Sequence, residues 1–167
     1  PVSSRARLRL DRCGPKPHPW RSLSCPIYAT AVTSVLIEGT LEEAGLSDRV
    51  HPKRVPLSGQ LELGPFTIEF MSITHSIPEP NALAIRTPLG VVVHTGDWKI
   101  DPEPLIGEPT DQAALKRLGD NGVLALVCDS TTALVAGESG SDARVRESLP
   151  ELIGTLKDRI AVHSFAY

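Results

Sequence analysis

Two short apolar runs, 82–85 and 91–93, flank Thr87-Pro88-Leu89-Gly90 and form the most regular stretch of the chain. A proline and a glycine between two β-type runs predict a hairpin with its turn at those residues. Neighbouring positions are apolar in both runs, which predicts strands buried on two faces and hence a layered α/β domain. Upstream, alternation at Phe66, Ile68 and Phe70 marks the core face of a long strand ending at His75. A shorter segment over 57–63 and a turn at Gly64-Pro65 lead into it. Earlier still, 26–30 reads as a strand, 31–44 as a helix stopped by Gly45, and 50–56 as another strand. Val32, Val35, Leu36 and Leu41 are the helix positions expected to face the core.

Beyond the hairpin, Pro102, Pro104 and Pro109 predict a rigid loop, because each fixes its own φ and pushes its predecessor away from helix. Thr110 and Asp111 are placed to cap a helix over 111–118, broken by the glycines of 119–122. The continuous apolar run 123–128 predicts a buried strand. After a loop at 137–140, the segment 141–157 has helical amphipathicity, with Val145, Leu149, Leu152, Ile153 and Leu156 inward and a kink at Pro150. A last strand is expected over 159–165. Residues 1–24 show neither period; Arg5, Arg7, Arg9, Arg12 and Lys16 among Pro, Ser and Gly read as a disordered tail, or alternatively as a basic arm touching phosphates.

At 167 residues, 41% apolar and 22% charged, the chain suits one globular domain with a true core. Aromatics are only 4%, so Val, Leu, Ile and Ala must fill that core. A net charge of −3 gives no global attraction to a polyanion, so nucleic-acid binding would need a local groove or a metal site. Cys13, Cys25 and Cys128 are odd in number and widely spaced without a CxxC pair, which argues against disulfides and thiolate zinc. They read as small buried apolar residues in a reducing cytosol. No apolar run approaches the ~20 residues of a membrane span, so the expected protein is soluble and cytoplasmic.

Chemistry-bearing residues cluster where strands stop: His75 after the long strand, Asp97 after 91–95, and Asp129 after 123–128. Rigid strands that deliver polar groups to one edge are how sheets build sites. Taken singly, each residue also suits a structural role, with Asp129 capping a turn with Ser130 and Thr131.

His75-Ser76-Ile77-Pro78, then Leu83-Ala84-Ile85-Arg86-Thr87-Pro88-Leu89-Gly90, then His94-Thr95-Gly96-Asp97-Trp98-Lys99-Ile100-Asp101-Pro102, closely resemble the ribonuclease J family of the metallo-β-lactamase superfamily. Cys128-Asp129-Ser130-Thr131 resembles that family's entry into its β-CASP domain, and the likeness runs over about 25–165. The resemblance implies part of an αββα sandwich with the start of a β-CASP domain. Its divisions are a disordered or foreign segment at 1–24, a partial metallo-β-lactamase domain at 25–128 and a β-CASP beginning at 129–167. It implies RNA phosphodiester hydrolysis, exo- or endonucleolytic, with two divalent ions, zinc or else manganese or magnesium. His75 would ligate one ion, Asp97 would bridge both and act catalytically, Asp129 would be a second catalytic carboxylate, and Ser76 would donate to a phosphate oxygen.

His94 reads as a packed or supporting histidine rather than a ligand; Trp98 and Lys99 are both candidates for substrate contact, with a cap on the core the better reading of Trp98. His51 and His163 receive no role. The family's His-x-His-x-Asp-His motif, expected before 26–30, has no counterpart here, and His18 stands alone between Pro17 and Pro19. The expectation is therefore a fragment that is inactive alone. The alternatives are a non-catalytic module that binds RNA or a partner, or another hydrolase of the superfamily such as a thioesterase or lactonase. RNA is the expected partner, a membrane is not, and homo-oligomerisation of an intact parent stays open.

Overall fold

A computed structural model of the chain describes residues 25–162. The tail expected over 1–24, Cys13, His18, His163 and the end of the last predicted strand lie outside them. The described part is α/β, and its centre is the predicted hairpin. Strands β1 (Tyr28–Ala29) and β2 (Lys53–Arg54) form a small parallel pair, with helix α1 (Ala31–Glu43) between them in sequence. The main sheet has the order β3 (Gln60–Leu63), β4 (Phe66–Ser72), β5 (Asn81–Thr87), β6 (Gly90–His94) and β7 (Ala125–Val127). The first four strands are an antiparallel meander, and β7 joins β6 in parallel after a crossover through α2 (Gln112–Asn121). A last helix, α3 (Asp142–Thr155), contains Pro150.

The hairpin turn closes as its residues dictate. Thr87 Oγ1 accepts the amides of Leu89 (3.1 Å) and Gly90 (3.2 Å), and Gly90 takes a φ of 146°. Both faces of the sheet are covered at its middle. On one, Met71, Ile73, Ala82, Ala84 and Val93 pack with Ala114 and Leu118 of α2. On the other, Ile68, Phe70 and Leu83 pack with Val55. A third cluster, Ala29, Ile37, Leu41, Leu46 and Val50, seats α1. Phe70 lies in the core, as its alternation predicts, and Met71 adds a thioether to an otherwise largely aliphatic interior.

Several expectations are corrected. Helix α1 ends as predicted: Gly45 (φ 64°) donates to the Glu42 carbonyl and Leu46 to that of Leu41, a Schellman closure. Its buried face, however, is Thr33, Ser34, Ile37 and Leu41, while Val35 is exposed. Small polar residues occupy that face because they satisfy themselves locally: Ser34 Oγ donates to the Ala29 carbonyl and Thr30 Oγ1 to Thr33 Oγ1. Helix α2 is capped by Asp111 alone, whose carboxylate accepts from the Ala114 amide at 2.8 Å, and runs through Gly119 to Asn121. Strand β7 is exposed rather than buried, and Val145, Leu149 and Leu152 of α3, with Leu156 just past its end, are exposed rather than inward. No described element lies over them. Cys25 is half-buried and Cys128 exposed, so neither is the buried residue expected. The strand expected to begin at Arg159 has no regular structure over 159–162. Among the described residues no helix is long and apolar enough to cross a membrane.

Candidate functional site

Strand direction decides where the chemistry collects. Strands β4 and β6 are both antiparallel to β5, and β7 is parallel to β6, so β4, β6 and β7 run the same way. Their C-terminal ends share one sheet edge, and from that edge emerge His75, Asp97 and Asp129 in turn. Loops beyond the carboxyl ends of strands are the usual place for a site in an α/β sheet.

Two of these segments are joined directly. Thr74 forms an isolated antiparallel bridge with Lys99: the Lys99 amide donates to the Thr74 carbonyl at 2.9 Å, and Thr74 Oγ1 donates to the Lys99 carbonyl at 2.6 Å. His75 is one residue past that bridge and Asp97 two residues before it. The third segment is tied by Trp98, whose indole N–H donates to the Asp129 carbonyl at 3.3 Å while its ring packs on the cluster beneath α2. Trp98 therefore caps the core as expected. At the base, the Thr95 amide donates to the Val127 carbonyl at 3.0 Å.

The loop carrying His75 is fixed at several points. His75 Nδ1 lies 3.1 Å from Ser76 Oγ, and Ser76 is exposed. Glu79 Oε2 accepts the Val32 amide at 2.9 Å, capping α1, whose own N-cap Thr30 caps no amide with its side chain. Gly107 closes over the loop so tightly that a Cβ there would stand 2.3 Å from the Pro78 carbonyl oxygen. Asp129 Oδ1 accepts both the amide (2.9 Å) and the hydroxyl of Thr131, the turn-capping arrangement anticipated for it. His94 is exposed rather than packed, and its Nδ1 accepts the Gly96 amide at 2.9 Å, which leaves a neutral ring's proton on Nε2.

Lys99 is committed elsewhere than to a substrate. Its Nζ lies 2.9 Å from Asp101 Oδ2 and 2.5 Å from Asp142 Oδ1. Burial pushes the Asp101 carboxyl up, but the hydrogen bond from Lys99 and the amides of Asp142 and Glu103 outweigh it and hold Asp101 below its ordinary 3.8. Burial likewise depresses Lys99, and hydrogen bonds to Asp142 and Asp101 with their charges raise it above 10.5 overall.

Sequence reasoning missed Thr74, Asp101, Thr110 and Asp142. Thr110, expected to cap α2, instead accepts the Thr74 amide at 3.1 Å in the interior. Buried threonines at a strand end and an Asp between Ile100 and Pro102 were the signals available.

A dinuclear metal centre needs several imidazole and carboxylate ligands around each ion. Among the described residues no three His, Cys, Asp or Glu side chains are grouped to hold one, so residues 25–162 do not fit a complete centre by themselves.

No family model matches the chain. Curated proteins do. Ribonuclease J of Sinorhizobium meliloti is 42% identical over 147 residues, covering 88% of this chain and 26% of its own. Ribonuclease J of Corynebacterium glutamicum is 45% identical, over 84% of this chain and 19% of its own, and that of Thermus thermophilus 37%, over 84% and 25%. The chain thus spans about a quarter or less of the length of these relatives.

Proposed function

The chain belongs to the ribonuclease J family, and from that premise we propose that it is a part of a ribonuclease that hydrolyses RNA phosphodiester bonds in processing and decay. The observation that supports this best is the convergence of three co-directional strand ends, bearing His75, Asp97 and Asp129, on one edge of the sheet. Residues 25–128 are then part of a metallo-β-lactamase domain and 129–167 the beginning of a β-CASP domain, in a cytoplasmic enzyme.

In this reading His75 ligates one of two divalent ions, zinc or else manganese or magnesium. Asp97 bridges both, Asp129 stands beside them, and Ser76 donates to a phosphate oxygen of the RNA. The remaining ligands are not grouped within residues 25–162, so the stretch is inactive alone and no hydrolytic step is assigned to it. A carboxylate shared by two ions cannot be replaced by water without losing both, whereas Asp97 belongs to none of the three core clusters. In the intact parent, Asp97→Ala is therefore expected to abolish RNA cleavage while circular dichroism stays native; retained turnover refutes the assignment.

A further inference from the structure

One buried carboxylate sits where the site-bearing segments meet. Asp101 is 1% exposed, and its amide and both carboxylate oxygens are engaged. Its amide donates to Thr74 Oγ1 at 3.0 Å. Oδ1 accepts the Glu103 amide at 2.9 Å; Oδ2 accepts the Asp142 amide at 2.9 Å and faces Lys99 Nζ at 2.9 Å. Thr74 extends the same network. Its one hydroxyl proton goes to the Lys99 carbonyl, so Thr110 must be the donor in the 3.0 Å contact between the two hydroxyls.

We propose that Asp101 is a positioning residue: it holds the strand end bearing His75 and the loop bearing Asp97 in one fixed relation and locks both to the N-terminus of α3. The reason is the cost of a buried charge, which is tolerated only while its hydrogen bonds are complete. Moving the 97–103 loop or the first turn of α3 separately would leave the carboxylate short of a donor, and moving the Thr74 end would strip the Asp101 amide of its acceptor and pull on Lys99, which is bridged to Thr74. The three segments consequently move together or not at all, and an ion or a phosphodiester would meet a prearranged edge. This rests on the reading of His75 and Asp97 as site residues.

The test uses the ¹⁵N-labelled 167-residue chain, amide hydrogen exchange, and manganese alone as the probe. Loss of a hydrogen bond to a charged group corresponds to about tenfold or more in local opening. Asp101→Asn is expected to accelerate exchange by that factor at Thr74, Lys99 and Asp142 together, with Phe70 and Leu83 unchanged. It should also raise by about tenfold the manganese concentration that broadens the His75 and Asp97 signals, the usual effect of losing support behind a ligand. Lys99→Met must give the same pattern, and it decides the matter if the first variant does not fold. Acceleration confined to Glu103 and Asp142, which share the single side-chain oxygen that asparagine keeps, overturns the proposal. So does acceleration that spreads through Phe70 and Leu83 in both variants, or manganese broadening that stays unchanged while exchange accelerates. If manganese broadens nothing in the unaltered chain, this stretch holds no ion by itself, in line with its incomplete set of donors, and the clamp stands or falls on the exchange pattern alone.

Discussion

Trp98 makes two separable contributions, and replacing it in two steps measures each. The indole N–H to the Asp129 carbonyl is 3.3 Å, at the long end for such a bond, so its loss costs about 0.5–1 kcal/mol. The ring is partly buried on Met71, Ile73, Ala82 and their neighbours, so truncation to alanine costs about 2–3 kcal/mol, below the range for a fully enclosed tryptophan. Trp98→Phe keeps most of the packing and removes the donor. For a domain of this size each kcal/mol moves Tm by about 2–4 °C, which puts the phenylalanine variant about 1–4 °C down and the alanine variant about 4–12 °C down. Thermal unfolding should be followed by far-ultraviolet circular dichroism, because the change removes one of only two tryptophans. Amide exchange at Thr131, whose N–H is held by Asp129, should quicken in the phenylalanine variant. Equal losses in the two variants would refute the packing argument, and an unchanged Thr131 would refute the tether to Asp129.

Four further outcomes follow from the same structure. Glu79→Ala removes the only side-chain cap seen at the start of α1 and should cost about 1 kcal/mol in urea unfolding, with Glu79→Gln recovering most of it. Gly107→Ala places a Cβ against the Pro78 carbonyl at a φ of 83°; the conformation alone costs about 1–2 kcal/mol, and chemical shifts of 76–79 should move while those of β3 do not. Phe70→Ala should cost about 3–5 kcal/mol, since Phe70 is the largest fully buried side chain among the described residues. Because Asp101 is held below 3.8 and Lys99 above 10.5, their contribution to stability is complete between those values. It fades as pH falls below 3.8 through the folded value of Asp101, and as pH rises past 10.5 through that of Lys99. Asp101→Asn should flatten the acid side of the stability profile, and an unaltered acid side contradicts the ion pair.

The hairpin, the meander and the stop at Gly45 were legible because each is set by residues close in sequence: a Pro-Gly turn, period-two alternation, a glycine after the last helical turn. The gathering of His75, Asp97 and Asp129 on one edge was legible only as three strand ends. Their common direction comes from sheet order, which no local pattern encodes. The face of α1 was misread because Thr33 and Ser34 bury themselves by pairing locally, while Val35 is left in solvent. In α3 the apolar stripe is real, yet no described element covers it, so periodicity named a face without a partner. The Thr74, Thr110, Asp101 and Asp142 network was invisible for a different reason. Its bonds join residues 25 to 41 apart, and each partner alone looks like an ordinary turn or cap.

The shared-edge site is tested most directly by counting metal ions in the intact parent by elemental mass spectrometry, beside its His75→Ala and Asp97→Ala variants. Two ions in the unaltered protein, about one in His75→Ala and essentially none in Asp97→Ala are the predicted result. Two ions retained in Asp97→Ala would contradict it.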